Sequence, residues 1–266
     1  MRLNRVLVTG GTSGIGEAVV STLLARGFVV CAASRRAENR QIASNHCTLT
    51  LDVTQDESVE QAVTQALQSM GGIDVLVHCA GFGLAGAAED TPVCDAQAQM
   101  DTNFFGVVRV NRAVLPHMRG QGSGLVLGIG SVAGLIPIPF QAHYSASKSA
   151  LDLYMQALRM EIAAYGISCG MILPGDLHTG FTQARKFSLP QSSPYQAACD
   201  SAVSVMQRDE LRGPPPDCVA RLVLRACLAG KTPPRRIVPG KYRLMNLAFA
   251  ALPRKLALGV VAKMYQ

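Results

Sequence analysis

Apolar, β-branched runs alternate along this chain with longer stretches in which apolar residues recur at helical spacing. Arg5 to Thr9, Phe28 to Ala33, Thr48 to Leu51, Asp74 to His78, Gly124 to Gly130 and Ser168 to Leu173 read as strands. They hold few alternating polar positions, the pattern of strands buried on both faces of a parallel sheet. Between them, Ile15 to Arg26, Glu57 to Met70, Gln97 to Met118, Tyr144 to Tyr165 and Pro216 to Ala229 read as helices. This alternation predicts an α/β fold: one domain over residues 1–266, a doubly wound parallel sheet with helices on both faces. Residues 180–215, rich in Ser, Gln and Pro, break the pattern and predict an irregular insertion, a candidate lid.

Composition changes the picture in a few places. A chain of 266 residues can bury enough apolar surface to need neither disulfides nor metal. Its eight cysteines (Cys31, Cys47, Cys79, Cys94, Cys169, Cys199, Cys218 and Cys227) show no CxxC pair and no zinc-like Cys/His spacing. They read as reduced packing residues, and no metal is expected. Met1 to Arg5 leads straight into Val6-Leu7-Val8, too short for the apolar core of a signal peptide, so a cytoplasmic location is expected.

The net charge of +7 suits an anionic ligand, a membrane surface or a solvated exterior. Nucleic acid is not expected, because aromatics are few and no basic helix stands out. The tail, about residues 243–266, combines Leu247, Phe249, Leu252, Leu256, Leu258 and Val261 with Arg243, Arg254, Lys255 and Lys263. Pro253 and Arg254-Lys255 interrupt it well short of the ~20 apolar residues of a spanning helix. It predicts an amphipathic segment that docks on the protein's own core or a partner subunit, covers a site, or lies on an anionic membrane surface.

The first candidate chemistry is a glycine-rich turn. Strand residues Val6-Leu7-Val8 run into Thr9-Gly10-Gly11-Thr12-Ser13-Gly14-Ile15-Gly16, with a helix beginning near the last glycines. Glycine lets the backbone turn sharply and approach a pyrophosphate, and free N–H groups at the helix start supply positive potential. The spacing is Gly-x-x-x-Gly-x-Gly, not Gly-x-Gly-x-x-Gly. Its place at the first βα junction is nonetheless where doubly wound sheets hold dinucleotides. Gly10, Thr12, Ser13, Gly14, Ile15 and Gly16 are therefore candidate cofactor contacts. Near the end of the second strand, where an acid would hold the ribose 2′-hydroxyl, the sequence gives Ala33-Ser34-Arg35-Arg36. Guanidinium groups there favour a 2′-phosphate, hence NADP(H) over NAD(H), with Glu38 as the residue opposing that choice.

The second candidate is Tyr144-Ser145-Ala146-Ser147-Lys148, which puts Tyr144 and Lys148 one helical turn apart on one face. A phenol with a pKa of about 10 exchanges protons poorly near neutrality, and a neighbouring ammonium favours its ionised form. Ser131 follows an apolar strand at the edge where such sheets place ligands. Asn103 falls within a helical pattern, where Asn is mildly unfavourable. Each has an ordinary reading too: an exposed Lys beside a packed Tyr, a turn or cap serine, and a kink or a satisfied polar contact.

Together, and in order, these residues resemble the short-chain dehydrogenase/reductase family over nearly the whole chain. Thr9-Gly10-x-x-x-Gly14-x-Gly16 is similar to its cofactor turn, Asp52-Val53 to the pair that meets the adenine, and Ala80-Gly81 to the end of its Asn-Ala-Gly motif. Cys79 stands where that motif has Asn, a change that bears on the sheet more than on the chemistry. Pro174-Gly175-x-x-x-Thr179 resembles the segment covering the nicotinamide. The resemblance implies a Rossmann-type fold and a tetrad of Asn103, Ser131, Tyr144 and Lys148. By it, Tyr144 transfers the proton, Lys148 lowers its pKa and bonds the nicotinamide ribose, Ser131 orients a carbonyl and Asn103 holds a water.

The implied activity is an NADP(H)-dependent interconversion of a ketone and a secondary alcohol by hydride transfer. Pro214-Pro215-Pro216 and the segment Arg235 to Tyr242 are similar to branches acting on hydroxysteroids, retinoids and long acyl ketones, which implies a bulky apolar substrate. Phe181, Phe187, Leu189, Pro190, Pro194, Tyr195 and Met206 are expected to line its pocket or to pack the lid. The family also implies a homodimer or homotetramer built on the helices containing Gln97 to Met118 and Tyr144 to Tyr165. The competing reading is a non-catalytic NADP(H)-binding sensor, against which the complete tetrad argues.

Overall fold

The computed structural model describes residues 3–188 and 193–265. The first half runs β1 (Arg5–Thr9), α1 (Gly14–Leu24), β2 (Val29–Ser34), β3 (Arg40–Ala43), β4 (His46–Thr50), α2 (Asp56–Met70), β5 (Val75–His78), β6 (Leu84–Ala85), α3 (Val93–Met100) and α4 (Gly106–Gln121). The second half runs β7 (Gly124–Ile129), α5 (Ala142–Ile162), β8 (Ile167–Pro174), β9 (Lys186–Phe187), α6 (Gln196–Leu211), α7 (Asp217–Ala229), β10 (Arg235–Val238), α8 (Gly240–Ala251) and α9 (Arg254–Met264). The main sheet has the order β10-β8-β7-β5-β1-β2-β4-β3 and is parallel except where β3 pairs antiparallel with β4.

Alternation along each strand sends side chains to two cores. Leu7, Leu76 and Val126 face α2, α4 and α5, while Val6, Val8, Val75, Val77, Leu125 and Leu127 face α1 and α7. Both faces are apolar, so burial of the whole sheet follows, and the doubly wound fold is as expected. From β1 the chain steps outward to β2 and β4, then returns to place β5 on the other flank of β1. The crevice at the carboxyl ends of β1 and β5 is the switch point at which such sheets bind ligands.

The expected strands and helices are present with ends moved by a few residues, and the differences have physical causes. The long helical pattern begins at Val93, not Gln97, and contains a π-turn at Asp101–Phe105 joining α3 to α4. Residues 180–215 are not irregular throughout: α6 lies within them, burying Cys199, Ala202, Val203 and Met206 at i, i+3, i+4 and i+7. Small side chains and flanking Ser and Pro hide that stripe in the sequence. The tail forms two helices, α8 and α9, broken at Leu252-Pro253. Tyr242, Phe249, Ala257 and Val261 pack on Val132 and Ile136, while Leu244, Leu247, Leu256 and Val260 remain exposed. Among the described residues, no helix is long and apolar enough to cross a membrane.

The reading of all eight cysteines as reduced is corrected. Cys31 on β2 and Cys47 on β4 are register partners with Cα atoms 4.7 Å apart, and they are disulfide-bonded. Cys79, Cys94, Cys169, Cys199, Cys218 and Cys227 are free. Sequence spacing gave no hint of the pair, because only sheet register brings the two together.

Candidate active site

The glycine turn is built as its sequence suggests. Gly10 and Gly14 have φ of +67° and +53°, left-handed values that favour glycine. A Cβ on Gly10 would lie 2.7 Å from the Ala80 nitrogen, and one on Gly16 would strike the Gly10 carbonyl. The turn thus folds directly against the end of β5, so Gly10 and Ala80 meet at the switch point. Ser13 caps α1 without its side chain bonding a first-turn N–H, which leaves those donors to face an anion. Thr179 is brought over Gly14, at 3.9 Å from a Cβ placed there.

Beside this turn, Thr12 Oγ1 donates to Ser34 Oγ at 2.8 Å, which ties the phosphate turn to the end of β2. Arg35 and Arg36 follow immediately, exposed, with no hydrogen bond or ion pair among the described residues. Glu38 is exposed as well. Free first-turn donors and unpaired guanidinium groups at one edge fit a phosphorylated dinucleotide. Asp52 spends Oδ1 locally, accepting from Thr54 N and Oγ1 at 3.0 and 2.8 Å, and Val53 packs on Gly106.

The four candidate reaction groups converge from three elements. Tyr144 and Lys148, both buried, sit on the first turns of α5. Ser131 follows β7 and caps a short 3₁₀ turn, Val132–Gly134, by accepting from Ala133 N at 3.1 Å, and it is near enough to the Tyr144 phenol to favour its ionised form. So Ser131 is a cap residue and a neighbour of the phenol at once. Lys148 Nζ donates to the Ile129 carbonyl at 3.1 Å. Asn103, fully buried, lies in the π-turn, a feature common at functional sites. Its Oδ1 accepts from Phe82 N, and its Nδ2 donates to Phe82 O and Ser147 Oγ, each at 3.1 Å. A Cβ on Gly81 would sit 3.0 Å from Asn103 Oδ1 and 3.6 Å from Lys148 Nζ, so glycine keeps the ground between them open.

Burial dominates the electrostatics. It pushes Tyr144 up to about 12, against a pull from the Ser131 hydroxyl; Glu210 raises it further and Arg185 lowers it. Burial likewise pushes Lys148 down to about 8, opposed by the nearby Cys79. The expectation that Lys148 depresses the phenol is therefore corrected for the protein alone: the ammonium is itself penalised by the same dry surroundings. Cys79, also pushed up to about 12, donates its backbone N–H to Thr9 O at 3.0 Å, so the strand junction survives without Asn.

The substrate-side expectations divide. Phe181 stands with its ring centroid 5.8 Å from that of Tyr144, and Met206 is buried. Phe187, Pro194 and Tyr195 are exposed, the Tyr195 hydroxyl bonding Glu89 at 2.8 Å, and Phe187 lines a pocket with Phe82, Leu84, Asp95, Ala98 and Lys186. Leu189 and Pro190 lie outside the described residues. Pro174 ends β8, and Gly175 donates its N–H to Val238 O at 2.9 Å; a side chain on Gly175 would collide with the Tyr242 ring. The sequence reading missed Gln99, whose Nε2 donates to Phe82 O at 2.6 Å, and the Arg185–Glu210 pair, whose charges reach Tyr144. No motif marks either one. Among the described residues no cluster of His, Cys, Asp and Glu could hold a metal.

Comparison with known proteins agrees with this architecture. A 3-ketodihydrosphingosine reductase of Bacteroides thetaiotaomicron is 35% identical over 247 residues, covering 92% of this chain and 90% of the relative. The crystal structure of a short-chain dehydrogenase from Streptomyces avermitilis superposes with a TM-score of 0.80 at 29% identity, covering 93% of this chain and 92% of that one. A short-chain dehydrogenase/reductase from Burkholderia phymatum in complex with NAD shares the fold, with a TM-score of 0.79 at 21% identity over 96% of this chain and 95% of that one. The family model described as short chain dehydrogenase matches residues 4–188, and the chain belongs to this oxidoreductase family.

Proposed function

We propose that the protein is an NADP(H)-dependent oxidoreductase interconverting a ketone and a secondary alcohol, with Tyr144 as the acid/base. The observation that carries this reading is the Tyr144 residue, buried beside Ser131 and one turn from Lys148, at the same sheet edge as the glycine turn. When bound, the nicotinamide would supply or accept the hydride and, in its oxidised form, add positive charge beside the phenol. Tyr144 gives the carbonyl oxygen its proton in reduction and takes it back in oxidation. Ser131 orients that oxygen, Lys148 holds the ribose side and replenishes charge, and Asn103 fixes Phe82 and Ser147 so that the pocket keeps its geometry.

Gly10, Thr12, Ser13, Gly14, Ile15 and Gly16 hold the pyrophosphate, Asp52 and Val53 the adenine, Ala80 and Gly81 line the cofactor between the glycine turn and Lys148, and Pro174, Gly175 and Thr179 cover the nicotinamide. Unpaired Arg35 and Arg36 support a 2′-phosphate and hence NADP(H). The Bacteroides relative is named for 3-ketodihydrosphingosine, and with Phe181 against Tyr144 this supports a bulky, lipid-like ketone. Exposed Phe105, Leu153 and Met160 on the π-turn and α5 support a homo-oligomer paired through these helices.

The test is a panel of ketones and secondary alcohols followed by absorbance of the reduced nicotinamide, with wild type and Tyr144→Phe. Turnover by the wild type should fall on the order of 10²–10⁴-fold in the variant while NADPH still binds. A variant that turns over undiminished would remove Tyr144 from its role. A wild type that binds NADPH but reduces nothing would favour the sensor.

A further inference from the structure

Arg185 is half-used. Its side chain is 1% exposed, and Nη2 pairs with Glu210 Oε1. Nε and Nη1 are buried with no partner among the described residues. Thr182 Oγ1 donates to the other Glu210 oxygen at 2.6 Å, so the carboxylate is fixed from both sides. Thr182 follows Phe181, whose ring centroid is 5.8 Å from that of Tyr144, so the pair lies on the segment that packs against the phenol, which registers both charges. Arg185 is also felt by Asp176, just beyond β8, and by Tyr265, which follows α9. Nε and Nη1 together carry three N–H bonds, and a buried donor without an acceptor is costly.

We propose that Arg185 is a specificity-determining residue whose Nε and Nη1 bind a second, neutral oxygen function of the substrate, a hydroxyl or carbonyl close to the ketone that Tyr144 serves. The proposal rests on the ketone-reductase reading above. The surroundings set the class of group. Glu210 already balances Arg185, and Asp176, Asp209 and Lys241 act on the same neighbourhood. Arg208 pairs with Asp209 at 3.4 Å, so three carboxylates already meet three cations, and a carboxylate or phosphate on the substrate would add a charge with no counterpart. A neutral oxygen satisfies the guanidinium fork without adding charge, and a hydroxyl can in turn donate to Glu210.

The experiment compares ketones of equal chain length, with and without a hydroxyl one or two carbons from the carbonyl, in wild type, R185K and R185M with NADPH. R185K keeps an ammonium for Glu210 while withdrawing the fork, and its melting temperature reports whether the fold is kept. Wild type should prefer a hydroxy ketone in kcat/KM on the order of a hundredfold, chiefly through KM. Both variants should bring that ratio towards unity. Equal kcat/KM for the plain and hydroxylated ketones in wild type overturns the proposal, as does a preference that survives in R185K. Equal losses on both kinds of substrate also overturn it, because a role confined to holding Glu210 would act on both alike. Wild type that oxidises NADPH with none of the ketones would remove the reductase reading itself, and this proposal with it.

Discussion

Lys148→Met is expected to stabilise the protein in the absence of nucleotide while ending its turnover. Burial brings the Lys148 ammonium from 10.5 down to about 8. At about 1.4 kcal/mol per pKa unit this is a cost of about 3 kcal/mol to the folded state wherever the lysine is protonated in both states, which is below about pH 8. Between about pH 8 and 10.5 the unfolded chain holds a proton that the folded chain has released, so stability rises with pH across that window. Above it the cost is gone. Methionine removes the buried charge and keeps the apolar stem, but it leaves the Ile129 carbonyl without its donor at 3.1 Å. That loss offsets about 1 kcal/mol.

A net gain of about 2 kcal/mol corresponds to roughly 4–8 °C in Tm for a chain of this size. Thermal unfolding of both proteins, followed by circular dichroism from about pH 6 to about pH 11, checks the prediction. The gap should be widest below about pH 8, shrink to nothing before about pH 10.5, and reverse by about 1 kcal/mol above it, where only the lost hydrogen bond remains. Tyr144, raised to about 12, destabilises both proteins alike above about pH 10 and drops out of the difference. A variant less stable than wild type at neutral pH, or a gap indifferent to pH, would refute the reasoning.

Three further outcomes are expected. Arg35→Ala should lower the preference for NADPH over NADH roughly 10–100-fold, the worth of a charge-assisted contact, read from kcat/KM with each cofactor; an unchanged ratio removes Arg35 from the 2′-phosphate. Asp152→Ala should cost about 1–3 kcal/mol in urea unfolding, because it strands Arg235 on β10 and Gln156, with Arg235 41% exposed and able to turn to water. Titration of the denatured, unreduced protein should find six thiols among the eight cysteines, and eight after reduction.

What the sequence made legible was what depends on local pattern. Tyr144 and Lys148 share a helix face by spacing alone, and the glycine turn announces itself where β1 meets α1. Asn103 looked out of place in a helix, and the π-turn is the reason: it turns the amide inward to bond Phe82 and Ser147. What stayed hidden depends on register, or on partners far apart in the chain. Cys31 meets Cys47 only because β2 and β4 align. Arg185 finds Glu210 across a lid whose composition masked α6. The direction of the Tyr144 shift also escaped, because spacing shows a neighbouring charge but not the dry surroundings that outweigh it.

The α8–α9 hairpin rests on Val132 and Ile136, immediately beyond Ser131, whereas the glycine turn and Arg35 lie at β1 and β2 toward the opposite flank of the sheet. The molecule is therefore divided in its freedom to vary. Changes in the final two helices reach the ground beyond Ser131 and, through the Tyr242 ring, the Gly175 segment, while leaving the glycine turn and Arg35 untouched.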